Sequence, residues 1–313
     1  MIVAITGGTG FIGKKLVARL VEQGDSVRLL TRNPAFPERN PLVEVHKCDL
    51  LTAGIAELAA MLDGVEVLYH CAGQINDTCT MQALHVDATI KLAEAASRRI
   101  SHWVQLSSVG VYGPVNRGAI TEDSVLNPVG QYEITKAESD KIVIDAANKG
   151  GFTCSVLRPS NVFGAGMTNQ SLFGMISMID RGLFFFIGKP GASANYIHVD
   201  NVVEGLVRCG TMLPAKGRTY NLSDRCSMEH FSGIIADALG QRLPRLRLPK
   251  PVAQLAGVSL GKLPGFPLTQ SRINALTNRS TYPISRIQEE LGYRHIISME
   301  NGLRELVAAY KQR

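Results

Sequence analysis

Short runs of β-branched and apolar residues alternate with helical patterns through the first half of the chain. The first apolar run, residues 2–6, is followed by an amphipathic pattern at 14–23 and a second run at 26–30. Further runs lie at 65–69, 104–107 and 153–157, and helical patterns lie at 82–98 and 133–149. This alternation is typical of βαβ units, which form a parallel sheet covered on both faces. The pattern therefore predicts an α/β fold of the Rossmann type, with a doubly wound parallel sheet.

After about residue 165 the pattern is less regular, and Gly and Pro interrupt it repeatedly. Two helical patterns, 285–291 and 299–310, close the chain. We expect a dinucleotide-binding domain at 1–165 and a smaller, mixed substrate-binding domain at 166–313. Segments near 190–225 are expected to return to the first domain.

Composition excludes several classes of protein. The net charge is 33 − 27 = +6, but the chain has no run of more than two consecutive Lys or Arg, so we expect no nucleic-acid partner. Its longest apolar runs, 183–187 and 252–260, are much shorter than the roughly 20 residues of a spanning helix, so no membrane insertion is expected. The chain opens without a signal-peptide pattern, and its six cysteines form no Cys-x-x-Cys pair, which favours the cytoplasm.

A glycine-rich turn follows the first strand, at residues 6–13 (TGGTGFIG). Gly7, Gly10 and Gly13 would provide a tight turn, close approach to a pyrophosphate and close helix packing. Phe11 and Ile12, between the second and third of these glycines, are also expected to contact the cofactor, and the amino end of the following helix attracts phosphate. This position between a strand and a helix predicts a dinucleotide site, since a glycine triplet alone would be weak evidence.

The second strand ends in Thr31-Arg32-Asn33, where an NAD-specific site usually places a carboxylate against the ribose. Arg32 could instead pair with a 2′-phosphate, unless it is an ordinary surface arginine. The sequence therefore favours NADP(H), and NAD(H) stays possible.

Tyr132 and Lys136 lie four residues apart in a helical pattern, so their side chains share one face. A nearby ammonium favours the ionised phenol, which makes Tyr132 a candidate proton donor and acceptor. Ser107 and Ser108 end a predicted strand and offer hydroxyls to the same reacting oxygen. The combination predicts an enzyme that acts on a carbonyl or an alcohol.

At this point the chain resembles the extended short-chain dehydrogenase/reductase superfamily. The resemblance is to the NAD(P)-dependent epimerase/dehydratase family, in its nucleotide-sugar branch, and covers nearly the whole length. It rests on residues 6–13, 48–50 (CDL), 70–73 (HCAG), 107–113 (SSVGVYG), 132–136 (YEITK), 157–164 (LRPSNVFG), 196–200 (YIHVD), 220–222 (YNL) and 291–293 (LGY).

The resemblance implies a role for each matching residue. Ser108, Tyr132 and Lys136 would be the catalytic triad, with Lys136 also holding the nicotinamide ribose. The other implied cofactor contacts are Asp49 and Leu50 at the adenine, and Cys71, Ala72, Gly73, Pro159 and Val162 along the cofactor. Asn161 matches an asparagine that reaches the substrate phosphates, beside Ser107 and Ser108.

One departure concerns the diphosphate of the substrate. Epimerases of this family usually carry an arginine two residues before the Tyr of the Tyr-Ile-His-Val strand, and this chain has Ala194 there. Arg247, Arg272 or Arg279 could replace it, although each could equally be a surface or structural arginine. The usual asparagine of the helix after the fourth strand is also replaced, by His85.

The leading functional hypothesis is a reductase that acts on the 4-keto group of a UDP-, dTDP- or GDP-sugar. A nucleotide-sugar 4-epimerase with tightly bound NAD would use the same residues. A third alternative is an enzyme like 3β-hydroxysteroid dehydrogenase, and a fourth is a non-catalytic dinucleotide sensor. The resemblance also implies a homodimer that packs through residues 82–98 and 133–149.

Overall fold

A computed structural model describes residues 1–32, 40–167, 170–260 and 270–312. Within these residues no helix is long and apolar enough to cross a membrane. Asn33, a predicted cofactor contact, lies outside the described residues. The strands are β1 (Ile2–Thr6), β2 (Ser26–Thr31), β3 (Val43–Lys47), β4 (Val67–His70), β5 (His102–Leu106), β6 (Arg117–Ala119), β7 (Thr153–Pro159), β8 (Asn161–Phe163), β9 (Phe186–Ile187), β10 (Ser193–His198), β11 (Arg218–Leu222), β12 (Asp224–Ser227), β13 (Arg247–Leu248) and β14 (Arg279–Thr281).

Seven strands form one parallel sheet in the order β3-β2-β1-β4-β5-β7-β11. The order reverses between β1 and β4, which is where open α/β sheets bind ligands, at the carboxyl ends of the strands. Strands β4 and β5 are buried along their whole length, because helices cover both faces of the sheet. The predicted Rossmann-type fold is confirmed. The sheet takes β11 from beyond residue 165.

Helices cover both faces of the seven-stranded sheet, and others lie among the smaller sheets. They are α1 (Phe11–Glu22), α2 (Ile55–Leu62), α3 (Thr78–Gln82), α4 (Ala88–Ala96), α5 (Gln131–Asn148), α6 (Gln170–Asp180), α7 (Val199–Thr211), α8 (Met228–Leu239), α9 (Lys250–Leu260), α10 (Gln270–Thr277), α11 (Ser285–Leu291) and α12 (Met299–Lys311). One core cluster joins β1, α1 and α7 on one face of the sheet, and a second joins α2 and α4 to the other face. Both faces are therefore buried, as the apolar strands require.

Three smaller sheets lie outside the seven-stranded sheet and take most of their strands from beyond residue 165. Strands β12, β10 and β8 form one, in which β10 is antiparallel to β12 and parallel to β8. Strand β13 pairs with β9, and β14 pairs with β6. A separate core cluster that includes Phe163, Phe173 and Phe231 fills this part of the molecule.

The helical pattern at 82–98 is interrupted in the structure. Helix α3 ends at Gln82, a π-helical turn covers Ala83–Asp87, and α4 begins at Ala88. A π-helical turn inserts one residue into the helix and often lies at a functional site. Here it places His85 inside the protein, where the ring is 1% exposed.

Candidate active site

Four residues of the glycine turn have no side chain, and this allows the backbone segments around it to pack closely. Gly7 has φ +69°, and a Cβ atom there would lie 2.6 Å from the amide nitrogen of Ala72. A Cβ atom on Gly13 would lie 2.2 Å from the carbonyl oxygen of Gly7. The amide of Gly10 donates to that same oxygen at 3.0 Å, which closes the turn. The backbone of α1 therefore approaches β1 and β4 as closely as a dinucleotide site requires.

Two adjoining clefts open beside this turn, with volumes of about 350 and 330 Å³. They share Gly7, Gly10 and the backbone of residues 71–74, so they form one continuous groove. Every predicted cofactor and triad residue that the structure describes lines one cleft or the other. A groove of two halves around a turn that only glycine can adopt fits an extended dinucleotide.

The first cleft contains the residues expected at the adenine end. Thr31 and Arg32, at the end of β2, line it together with Asp49 and Leu50. The Asp49 carboxylate accepts the amide of Leu51 at 3.1 Å, which fixes the turn after β3. Sequence reasoning missed other lining residues, Gln74, Asp77, Thr80 and Leu84, because they come from the segment that contains α3 and the π-helical turn.

The second cleft contains the predicted triad. Helix α5 begins one residue before Tyr132, so the phenol and Lys136 lie on its first turns, facing the end of β5. The Lys136 ammonium donates to the carbonyl oxygen of Leu106 at 2.5 Å. Ser108 begins a short 3₁₀ turn, where its hydroxyl accepts the amide of Gly110 at 3.1 Å. Ser108, Tyr132 and Lys136 thus meet in one cleft beside the glycine turn.

Burial determines the protonation states of this cluster. It raises the pKa of Tyr132 to about 12, and the neighbouring Glu133 charge adds to the shift, while the Ser108 hydroxyl opposes it. Burial lowers the pKa of the Lys136 ammonium, and the Asp140 carboxylate opposes that change. We expected a nearby ammonium to favour the ionised phenol. In this structure burial has the larger effect, and it favours the neutral phenol. Tyr132 is a protonated group that can donate.

A buried ion pair lies behind Lys136. The Arg158 guanidinium donates to Asp140 Oδ2 from Nε at 3.2 Å and from Nη2 at 3.1 Å, and the two side chains are 5% and 2% exposed. The Ser107 hydroxyl donates to the same oxygen at 2.7 Å. Ser107 was expected to offer its hydroxyl to the substrate, but here that hydroxyl is engaged with Asp140. Ser108 is thus the serine that faces Tyr132.

The network continues away from the cleft. Arg158 Nη1 donates to the Tyr112 hydroxyl at 3.0 Å, and that hydroxyl donates to Asn221 Oδ1 at 2.8 Å. Asp140 could have been suspected from the sequence, because it lies one helical turn after Lys136. Arg158 could not, because only the fold brings β7 against α5.

His85 joins α5 to the wall that the two clefts share. Its Nε2 accepts the amide of Gln74 at 2.8 Å, so its Nδ1 carries the proton and lies 2.8 Å from the Thr135 hydroxyl. Burial, assisted by the Lys136 charge, lowers the pKa of His85 to about 4. The ring also packs edge-on against Tyr132, with centroids 5.8 Å apart. A neutral imidazole therefore holds residues 71–74, the shared wall of the two clefts, against α5.

Comparison with known proteins identifies the family. The model of the NAD dependent epimerase/dehydratase family matches residues 3–223, well over half of the chain. The chain belongs to this family. Within it, a dTDP-6-deoxy-L-talose 4-dehydrogenase (NAD(P)(+)) from Kitasatospora kifunensis is 36% identical over 184 residues, 56% of this chain and 57% of that protein. A 3 beta-hydroxysteroid dehydrogenase/Delta 5-->4-isomerase from Mycobacterium tuberculosis is 25% identical over 338 aligned positions, 98% of this chain and 90% of that protein.

Among solved structures, the UDP-glucuronic acid 4-epimerase from Bacillus cereus in complex with NAD superposes with a TM-score of 0.76. The match covers 100% of this chain and 99% of that chain at 19% identity, which shows the shared fold. The family match and the curated relatives show that the chain is an enzyme of the epimerase/dehydratase family, and they support a nicotinamide dinucleotide as its cofactor.

The residues predicted to contact substrate are not all brought together. Asn161 lines the second cleft and donates to the carbonyl oxygen of Asn195 at 3.2 Å. Arg247 instead pairs with Glu229 at 2.8 Å and lies over the Phe186 ring. Arg279 lines a separate cleft. Ala194, which replaces the usual arginine of the family, is completely buried.

Proposed function

We propose that this protein is an NADP(H)-dependent reductase that acts on the 4-keto group of a nucleotide sugar, with a UDP, dTDP or GDP moiety. The observation that supports NADP(H) most directly is Arg32, which lines the adenine end of the groove where the family's NAD sites usually carry a carboxylate. The Kitasatospora relative, whose name describes a 4-dehydrogenase of a dTDP-sugar, supports the reaction and the substrate class. A consumed reductant is typically NADPH, whereas an epimerase regenerates its own cofactor.

In this reaction Tyr132 and Ser108 would act on the carbonyl oxygen, and Lys136 would bind the cofactor and stabilise charge. Tyr132 donates its proton to the carbonyl oxygen, and Ser108 donates a hydrogen bond that polarises the same oxygen. Lys136, held by the Leu106 carbonyl, has further N–H groups for a ribose hydroxyl, and its charge stabilises the phenolate that forms. When bound, the nicotinamide supplies the hydride. The glycine turn and residues 71–74 would hold the dinucleotide.

The Mycobacterium relative supports a second candidate, an oxidoreductase of an apolar ring alcohol or ketone. Its alignment covers almost the whole chain, and the buried Ala194 removes the usual diphosphate contact from β10. A 4-epimerase is the nearest rival within the nucleotide-sugar branch, and it differs by retaining NAD.

The first experiment identifies the nucleotide that the purified protein releases on denaturation, together with titrations of the apoprotein with NADPH and NADH. We expect an empty or NADP-containing site and tighter binding of NADPH. Arg32→Asp should weaken NADPH binding much more than NADH binding, whereas the exposed Lys149→Gln, on the far end of α5, should change neither. Retained NAD, or an equal effect of Arg32→Asp on both cofactors, would favour the epimerase.

The second experiment tests the chemistry and the substrate class. The wild-type enzyme with NADPH should reduce a 4-keto nucleotide sugar but not a steroid ketone, and Tyr132→Phe should lower kcat by about 10²–10⁴-fold, the usual contribution of a positioned proton donor. NADPH binding by the variant serves as the control for folding. Reduction of the steroid alone would select the second candidate, and full activity of Tyr132→Phe would exclude the proposed chemistry.

We further propose that the enzyme acts in the cytoplasm as a homodimer, packed through α4, α5 and the turns beside them. Ile90 on α4 is 48% exposed, and Gln82 and Glu138 join the two helical segments through a 3.4 Å hydrogen bond. Ile90→Glu should dissociate the dimer in analytical ultracentrifugation, and a wild-type monomer would contradict the proposal.

A further inference from the structure

Two backbone amides in the wall that the clefts share are held by side chains from other parts of the fold. The amide of Ala72 donates to the Thr6 hydroxyl at 3.3 Å, and the amide of Gln74 donates to His85 Nε2 at 2.8 Å. Residues 71–74 line both clefts. The position of this wall against a bound dinucleotide therefore depends on where these two side chains are held.

A chain of hydrogen bonds joins the two contacts behind the wall. The Thr89 hydroxyl donates to the carbonyl oxygen of His85 at 2.7 Å, so its oxygen accepts from His70 Nε2 at 3.2 Å. His70 Nδ1 then accepts from the Thr6 hydroxyl at 2.7 Å. Both imidazoles belong to residues that are 1% exposed, and every polar side-chain atom of these four residues has a partner. A buried network that is fully satisfied in this way is rigid.

His85 extends this network to α5. Its Nδ1 donates to the Thr135 hydroxyl at 2.8 Å. That hydroxyl donates to the carbonyl oxygen of Gln131 at 2.9 Å, and the carbonyl oxygen of Tyr132 lies 3.1 Å away. The imidazole also packs against the Tyr132 phenol, with an angle of 79° between the ring planes. One imidazole therefore contacts the turn of α5 that carries Tyr132 and, directly after Thr135, Lys136.

Both nitrogens of His85 are needed for this arrangement. Nε2 accepts from the wall and Nδ1 donates to α5, and burial keeps the ring neutral by lowering its pKa to about 4. The asparagine that the family usually has at this position could place its amide nitrogen where Nδ1 lies, but it is too short to reach the position of Nε2. Asparagine could therefore bind α5 or the wall, whereas histidine binds both.

We propose that His85 is a positioning residue that fixes the distance between the bound dinucleotide and the Tyr132 hydroxyl. Its hydrogen bond from Gln74 would hold the wall in the conformation that the cofactor requires, and its hydrogen bond to Thr135 would hold the phenol at the reacting carbonyl. A displacement of about 1 Å at a reacting centre can lower a rate by about 100-fold, so the bridge has a measurable effect. The effect on kcat rests on the proposed function, whereas the effect on cofactor binding does not.

Two variants separate the two ends of the bridge in cofactor binding. His85→Asn keeps a donor at the position of Nδ1 and removes the acceptor at Nε2, whereas His85→Gln keeps an acceptor near Nε2 and removes the donor. In fluorescence titrations with NADPH and with NADH, His85→Asn should raise each Kd by about 10-fold, because the Gln74 amide loses its buried partner. His85→Gln should raise each Kd by less than about 3-fold, because that partner is retained.

Turnover should show the opposite order. At saturating NADPH, with a 4-keto nucleotide sugar as substrate, kcat should fall by about 10-fold in His85→Gln and by less than about 3-fold in His85→Asn. The matched control is His230, which is exposed on α8, and His230→Asn and His230→Gln should change neither Kd nor kcat. Melting temperatures of all four variants show how far each one is destabilised.

The two readouts separate the bridge from the proposed function. Equal effects of His85→Asn and His85→Gln on the Kd, as a general loss of stability would give, overturn the bridge, and so does a kcat that falls equally in both variants. If the wild type does not reduce the nucleotide sugar, the proposed substrate class fails and kcat is measured with a steroid ketone. If it reduces neither substrate, the Kd values decide: a rise confined to His85→Asn supports the bridge, and any other order refutes it.

Discussion

Replacing Asp140 by Asn removes the charge that compensates the buried Arg158 while preserving the shape of the side chain. Arg158 donates two hydrogen bonds to Asp140 Oδ2, and both side chains are almost completely buried. Breaking a buried ion pair by removing one partner costs about 3–5 kcal/mol, because the remaining charge is left without compensation. We expect the free energy of unfolding of Asp140→Asn to fall by about that amount in urea denaturation.

A double-mutant cycle measures the coupling between Asp140 and Arg158 directly. Arg158→Met should also be costly, but Asp140→Asn/Arg158→Met leaves no uncompensated charge, so the double variant should lose much less than the sum of the two single losses. Asp145→Asn is the matched control on α5. Its ion pair with Lys141, at 3.4 Å, is exposed and should contribute about 1 kcal/mol or less.

The same substitution also affects the active site. The Asp140 carboxylate raises the pKa of Lys136 against the effect of burial, so its removal lowers that pKa further. Lys136 is charged below its pKa, so activity that depends on the ammonium should be lost at a lower pH in Asp140→Asn than in the wild type. If the double variant loses the sum of the two single losses in unfolding free energy, Asp140 and Arg158 do not compensate each other. If kcat of Asp140→Asn falls at the same alkaline pH as kcat of the wild type, Asp140 does not support the charge of Lys136.

Three other predictions concern separate parts of the molecule. Gly13→Ala should abolish binding of NADPH in a fluorescence titration, because the new methyl group would lie 2.2 Å from the Gly7 carbonyl oxygen; normal binding would contradict the assigned turn. Tyr112→Phe should lower the free energy of unfolding in urea by about 2–4 kcal/mol, because Arg158 and Asn221 each lose a buried partner, whereas Tyr310→Phe should cost less. Burial lowers the pKa of His102 to about 4 in the folded protein, whereas the unfolded chain binds a proton there at about pH 6.5. The protein therefore keeps its full stability above pH 6.5 and loses stability as the pH falls towards 4. His102→Gln should therefore reduce the loss of stability between pH 6.5 and 5 by about 2 kcal/mol, measured by urea midpoints, and an unchanged loss would contradict this assignment.

The elements that the sequence predicted well are those with local signals. The glycine turn, β1, β2 and α5 follow from short patterns of apolar residues and glycine. The meeting of Ser108, Tyr132 and Lys136 in one cleft follows from one spacing on α5 and one strand end, whereas their catalytic roles stay predictions. The family was also recognisable, because its motifs are contiguous segments. Each of these features is decided by residues that are neighbours in the chain.

The features that were missed depend on contacts between distant segments. Arg158 meets Asp140 only because β7 packs against α5, and Arg117 meets Arg279, 279 − 117 = 162 residues later, only because β6 pairs with β14. The π-helical turn was missed for a different reason. Residues 82–98 retain a helical apolar pattern, so the sequence does not show that one turn within them is π-helical.

The position of β11 affects how the protein can fold during synthesis. This strand closes the seven-stranded sheet against β7, and α7 packs onto α1 through Arg19 and Glu204, 2.8 Å apart. A ribosome that has released only the first 165 residues has therefore presented a sheet with an open β7 edge and an uncovered apolar face. Exposed edges and faces of this kind favour association between chains. The nucleotide-binding half can be completed only after about two thirds of the polypeptide has emerged, and a chain cut at residue 165 would aggregate instead of binding its cofactor.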